Sequence, residues 1–193
     1  MSPNQTLHNI IPFAHYLLQQ RLSHGSRVLD GTAGNGNDTL LLAQSVGHEG
    51  RVWAFDVQEQ ALANTKGRLQ NAGLDGRVEL VKSSHANLAD YVCEPLDAAV
   101  FNFGWLPGSD KSLTTQAASS IAALSAALTL LKPQGLLLAV LYPGHEAGQE
   151  EAAAVENWAC GLPQQQYAVL KYGFVNRRNK PPYLLAVEKL RQK

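Results

Sequence analysis

Asp30, Asp56, His85 and Asn102 each stand at or just after the end of a short apolar run: "VLD", "VWAFD", "VELVKSSH" and "LDAAVFN". Polar residues at the ends of successive buried strands fall on one edge of an open α/β sheet, where such sheets bind their ligands. Asp30 opens onto "DGTAGNGNDT", a glycine-rich turn followed by the helix-like apolar run "LLLA". A strand, a glycine turn and a helix hold nucleotides, because backbone N–H groups and a helix N-terminus converge on the ligand. The dinucleotide fingerprint is G-x-G-x-x-G. Here Gly34 and Gly36 supply the first two glycines, but Thr39 occupies the third position. Asp30 also stands where a pyrophosphate would feel its charge. A carboxylate there suits S-adenosylmethionine, which carries a sulfonium and an ammonium and no phosphate. The structural alternative for Asp30 is a cap or turn residue. Asp56 follows about 20 residues beyond the glycine turn, the spacing at which an acid holds ribose hydroxyls in NAD and S-adenosylmethionine alike; a plain turn residue is its alternative. Thr32, Asn35, Asn37 and Asp38 are expected to line the loop, with Asp38 equally placed to cap the following helix. Val57 and Gln58 extend the ribose position, and Ser84 and His85 fall where adenine contacts are expected. His85 reads equally well as a structural histidine.

The fourth run ends in "NFGWLPGSDKSLTT". This Asn-aromatic-Gly-aromatic turn resembles the Asn/Asp-Pro-Pro-Tyr turn of amino-group methyltransferases. There a side-chain amide oxygen and a backbone carbonyl accept hydrogen bonds from the nucleophilic amine and aim its lone pair. Asn102 would be that acceptor while bordering the donor, and Phe103 or Trp105 would stack on a base. A structural Asn-Phe-Gly turn is the alternative. Asp110 and Lys111 could reach the acceptor or form a solvated pair. "YPGHEAGQEE" brings Tyr142 and His145 to the same edge, His145 as general base, phosphate contact or helix cap. Last, "NRRNK" gathers Arg177, Arg178 and Lys180 just before Pro181 and Pro182, as phosphate contacts or as a solvated loop.

These residues need a scaffold, and the pattern supplies one. A helix is expected over Ile10–Leu22, then strands in "SRVLDGT", "RVWAFDV", "VELVKSSH", "LDAAVFNFG" and "LLLAVLYPGH". Helices separate most of them: "NDTLLLAQSVG", "QEQALANTKGRLQNAGL" and a long one, "KSLTTQAASSIAALSAALTLLKPQG", ended by Pro133 and Gly135. After the helix "EEAAAVENWACGL", two strands flank the basic loop. Alternation of this kind implies a mostly parallel sheet with helices on both faces, and an antiparallel closing pair at its edge. At 193 residues there is room for one domain, residues 1–193, with an N-terminal helical segment over 1–24. Lys plus Arg number 16 and Asp plus Glu number 16, so any nucleic-acid contact must come from a local patch. Cys93 and Cys160 have no metal-ligand spacing and are expected to be small buried hydrophobes. No signal peptide and no run of ~20 apolar residues is present, so a cytoplasmic location without membrane contact is expected.

"LDGTAGNGNDTLLLA", "NFGWLPGSDKSLTT", "YPGHEAGQEE" and "FVNRRNKPPYLLAVEKL", in this order, resemble the bacterial Putative rRNA methylase family. Its MnmM-type members methylate 5-aminomethyl-2-thiouridine at the tRNA wobble position. The resemblance runs from about His15 to Lys189 and departs at Asn37, where the family commonly has histidine. It implies an α/β, Rossmann-like class I methyltransferase with a seven-stranded sheet, S-adenosylmethionine as cofactor and no metal. It also implies a tRNA anticodon stem-loop as partner and a homodimer. Other RNA bases and small molecules remain alternative acceptors, and Asp110 and His145 alternative bases.

Overall fold

A computed structural model describes residues 6–104 and 115–191. In chain order the elements are α1 (Ile10–Arg21), β1 (Arg27–Asp30), α2 (Asn37–Ser45), β2 (Arg51–Asp56) and α3 (Glu59–Asn71). There follow β3 (Val78–Lys82), β4 (Leu96–Asn102), α4 (Ala117–Leu130) and β5 (Leu131–Leu141). The chain continues through α5 (Glu146–Cys160), β6 (Tyr167–Tyr172) and β7 (Tyr183–Lys189). The seven strands form one sheet in the order β3-β2-β1-β4-β5-β7-β6. β1 to β5 pair in parallel, and β7 is antiparallel to both β5 and β6. The closing hairpin does form the edge of the sheet, but its antiparallel strand is one place in from that edge and β6 is outermost.

Side chains of a strand alternate between faces, and here each face meets its own helices. Leu29, Phe55, Ala99, Phe101, Leu137, Ala139, Leu185 and Val187 share one buried cluster with residues of α4 and α5. Val28, Val52, Ala98, Val100, Leu138, Val140, Leu184 and Ala186 share the other with α1, α2 and Leu69 of α3. Strands buried on both faces explain the unbroken apolar runs in the sequence. Ala123 and Ala127 of α4 lie in the same core as Ala152, Val155 and Ala159 of α5, so the alanine-rich stretch serves close helix packing.

Three expectations need correction. The long helix ends at Leu130 and β5 starts at Leu131, because Pro133 pushes the residue before it out of helical geometry. The opening of β5 is irregular, with a register shift between Leu96↔Leu131 and Ala98↔Leu136. Cys93 and Cys160 are exposed, Cys93 in a connection and Cys160 closing α5, away from the core-facing positions. Among the described residues no helix is long and apolar enough to cross a membrane, and no His, Cys, Asp and Glu cluster could hold a metal.

Candidate active site

The β1–α2 loop is built around a buried acid. Asp30 is fully buried, with Oδ2 accepting the Thr39 hydroxyl at 2.6 Å and Oδ1 accepting the Thr32 N–H at 3.1 Å. This explains why threonine stands where a dinucleotide loop has its third glycine: its hydroxyl satisfies a carboxyl that is shielded from solvent. Burial pushes the Asp30 pKa up to about 7, helped by the charge of Asp38 and more weakly of Asp56, against the hydrogen bonds from Thr39 and Thr32. Direct contact between Asp30 and the charged end of a donor is therefore corrected: the residue is an internal strut of the loop. Gly36, with φ 76°, precedes α2 in the left-handed region, and a Cβ there would lie 2.9 Å from the backbone of Thr65. Asn35 is turned outward and accepts from Asn64 at 3.0 Å, while Asn37 is exposed in the first turn of α2.

Asp56 ends β2 beside this loop. Its Oδ2 accepts the N–H of Gly34 at 2.9 Å and its Oδ1 that of Gln58, also at 2.9 Å. Each oxygen keeps a second lone pair for a hydroxyl. Val57, next to it, is 57% exposed, an apolar side chain open to solvent at the ligand edge. Ser84 caps the short 3₁₀ turn that follows β3 by accepting the Ala86 N–H at 3.2 Å. His85 packs edge-on against Phe101 and Phe103. Burial holds its pKa below the usual value despite the Gly31 backbone and the Asp56 charge, which keeps the ring neutral.

At the end of β4, Asn102 is held from several sides. Its backbone N–H donates to Thr32 Oγ1 at 2.7 Å, tying β4 to the glycine loop. Its side-chain Nδ2 donates to Asp38 Oδ2, whose other oxygen meets His15 Nε2 of α1 at 2.6 Å. Asp38 thus faces the site and does not cap its own helix. The amide oxygen of Asn102 is buried with no partner among the described residues. Tyr142 completes the surroundings: its ring lies 3.7 Å from where a Cβ of Gly104 would be, and burial followed by the Asp38 charge raises its pKa.

Phe103 is fully buried, stacked on Phe101 with ring centroids 5.4 Å apart, so its expected role as a base-stacking surface is corrected. Alternation along β4 sends it to the core side. Trp105, Asp110 and Lys111 lie outside the described residues. Gly104 and Thr115, on either side of them, are joined: Gly104 N–H donates to Thr115 Oγ1 at 2.8 Å, and Thr115 N–H to the Gly104 carbonyl at 3.1 Å. Thr115 and Ser120 hydroxyls both donate to Glu151, an almost fully buried carboxylate on α5. His145 takes the capping alternative, with Nδ1 accepting the Gly148 N–H at 3.0 Å at the start of α5, which leaves that nitrogen no role as a base.

The basic loop reaches the same edge. A Cβ on Gly144, beside His145, would lie 3.8 Å from the carbonyls of Asn179 and Lys180. Arg177 lies over the Phe174 ring at 3.7 Å and donates to Asn9 at 2.7 Å, Lys180 donates to Gln149 at 2.5 Å, and Arg178 is exposed. Two residues of this site escaped sequence reasoning. His15 left one signal: it shares with Ile11, Ala14 and Leu18 the apolar stripe of α1, where a polar residue is out of place. Glu151 left none, being one acid among several in "EAGQEEAAAVEN".

The family model described as Putative rRNA methylase matches residues 52–188, and that of Protein-L-isoaspartate(D-aspartate) O-methyltransferase matches residues 1–91. The crystal structure of a putative rRNA-methylase from Clostridium thermocellum is 39% identical, covers 96% of this chain and 100% of that one, and superposes with a TM-score of 0.95. A putative methyltransferase from Streptococcus mutans, solved in complex with SAH, is 37% identical, with the same coverages and a TM-score of 0.89. The chloroplastic tRNA (mnm(5)s(2)U34)-methyltransferase of Arabidopsis thaliana is 36% identical over 178 residues, 87% of this chain. The chain spans 65% of the length of that relative. A sheet of this order, a glycine loop without its third glycine and a family match across 52–188 agree: the chain has the class I methyltransferase fold and belongs to the Putative rRNA methylase family.

Proposed function

We propose that the protein is an S-adenosylmethionine-dependent N-methyltransferase acting on the aminomethyl group of 5-aminomethyl-2-thiouridine at the tRNA wobble position. The observation that carries this reading is the Asn102 amide oxygen, buried and unpartnered at the end of β4 with its Nδ2 already engaged. A buried acceptor without a donor costs stability and calls for a ligand N–H. The activity in the name of the Arabidopsis relative supplies the acceptor class.

The residues present fit the donor. Asp56 is locked by two backbone N–H groups with lone pairs left for a ribose diol, and Val57 offers an apolar surface beside it. Asp38 and Asp56 make the donor side of this edge acidic, which favours a cation. The bound donor would supply an electrophilic methyl group on a positively charged sulfur. Asn102 Oδ1 accepts an N–H of the neutral amine and turns the lone pair toward that methyl. Catalysis is then largely orientation, which can contribute ~7–11 kcal/mol. Arg177 and Arg178 meet phosphates of the anticodon stem-loop, and a cytoplasmic location is part of the same proposal.

Incubation of the protein with S-adenosylmethionine and tRNA carrying 5-aminomethyl-2-thiouridine, followed by nucleoside mass analysis, tests the reading. The wobble nucleoside should gain one methyl group. Asn102→Ala should bind the donor as wild type does while its turnover falls more than tenfold, about 1.4 kcal/mol of transition-state stabilisation. Methylation of another nucleoside, no transfer at all, or Asn102→Ala turnover within threefold of wild type would overturn it.

A further inference from the structure

We propose that His15, on the N-terminal helix, is a positioning residue for the acceptor: through Asp38 it fixes the Asn102 amide in the one orientation that presents its oxygen to an amine. The inference rests on the function proposed above. Three separate segments meet in it. His15 Nε2 of α1 lies 2.6 Å from Asp38 Oδ1 of α2, and Asp38 Oδ2 accepts from Asn102 Nδ2 at the end of β4.

The chemistry of the groups sets the direction of the chain. An ionised carboxylate only accepts, so both neighbours must point N–H groups at Asp38. For Asn102 this decides which end of the amide faces which way. Nδ2 is spent on Asp38 and Oδ1 is left buried and unpartnered. An amide held the other way would offer N–H groups to the acceptor and repel an amine donor. Asp38 can enforce that choice only if it is itself held, and its side chain is only 13% exposed. His15, 26% exposed, occupies its second oxygen with a hydrogen bond that is charge-assisted whether or not the imidazole carries a proton. Without His15 the carboxylate is free to rotate toward solvent and release the amide. A reacting group, the group that orients it, and a third that holds the second is the arrangement of catalytic triads. Here it orients a hydrogen-bond acceptor and moves no proton. It also gives α1 a task beyond covering the sheet.

The test compares His15→Ala with His15→Gln. Alanine is the better helix former, so α1 remains intact. Glutamine restores an N–H donor at about the reach of Nε2. His15→Ala should lower kcat for the aminomethyl acceptor at least tenfold, with the donor dissociation constant within twofold of wild type. His15→Gln should recover kcat to within threefold. A His15→Ala kcat within threefold of wild type, donor affinity falling in step with kcat, or glutamine no better than alanine would each overturn the proposal. The Asn102 side-chain amide resonances, followed by NMR without any acceptor, give a second readout. They should move in His15→Ala and return toward wild type in His15→Gln, and unmoved resonances in His15→Ala would also overturn it. If the wild-type protein methylates no tRNA, the proposed function fails, while the amide resonances still decide whether His15 orients Asn102.

Discussion

Replacing Asp30 by asparagine should remove much of the pH dependence of folding stability between pH 5 and 8. Asparagine keeps an oxygen for the Thr32 N–H, and its amino group can donate to the Thr39 hydroxyl, so the loop retains its contacts. What is lost is a titration. Burial and the neighbouring Asp38 push the folded pKa from 3.8 to about 7. Between these values the unfolded chain gives up its proton while the folded chain keeps it. The folded state then binds more protons, and stability falls as pH rises. Above pH 7 both states are ionised and the penalty stops growing. Each pKa unit is worth 1.36 kcal/mol, so the fall from pH 5 to about 7 amounts to about 3 kcal/mol. That is a large share of the ~5–15 kcal/mol that holds a domain folded. Urea unfolding followed by circular dichroism at pH 5 and pH 8, on wild type and Asp30→Asn, reads the difference. Other titrating groups are common to both proteins and largely cancel. The wild type should lose about 3 kcal/mol more than the variant over this interval. Curves for the two proteins that shift in parallel would show that Asp30 does not keep its proton when buried, and the account of the loop would fall with it.

Two further substitutions separate donor from acceptor binding. Asp56→Ala removes an acid that holds the N–H groups of Gly34 and Gln58 and is proposed to bind the ribose, with charge-assisted hydrogen bonds worth about 1.5–3 kcal/mol each. Donor affinity by calorimetry should fall at least tenfold, and unchanged affinity in a folded variant would refute the assignment. Arg177→Ala with Arg178→Ala should leave donor affinity alone and weaken an anticodon stem-loop. It should also flatten the slope of log affinity against log salt by about 1.4–1.8, at 0.7–0.9 per lost phosphate contact. Superimposable salt series for the two proteins would remove the loop from the RNA interface.

The sheet was legible because burial on both faces writes long apolar runs, and because each run ends in a polar residue at or just past the carboxyl end of a parallel strand. Asp56, Asn102 and the glycine turn stand together as their spacing requires. The sequence could not tell a residue that faces the ligand from one that supports such a residue. Asp30 and Thr39 form a pair inside the loop, yet as letters Asp30 looks like a donor ligand and Thr39 like a missing glycine. Phe103 was misread for a related reason: alternation along β4 continues one residue past the strand and turns the ring inward. His15 and Glu151 act across tens of residues of separation through hydrogen bonds, and no local pattern encodes such contacts.

The position of β7 has a consequence for how the chain comes off the ribosome. β7 is made after every other strand but lies inside the sheet, between β5 and β6. Until residues 183–189 emerge, β5 offers an open edge along "LLLAVL", residues 136–141, which bonds to β7 in the finished sheet. That segment is apolar, uncharged and free of proline and glycine, the composition that pairs with other chains when left unprotected. β6 cannot cover it in the meantime, because its only partner is β7. Domains begin to fold during synthesis, so nascent chains that have reached β6 carry a nearly complete sheet with one adhesive edge. Released chains that end before residue 183 should therefore need a chaperone, whereas chains that include β7 should not.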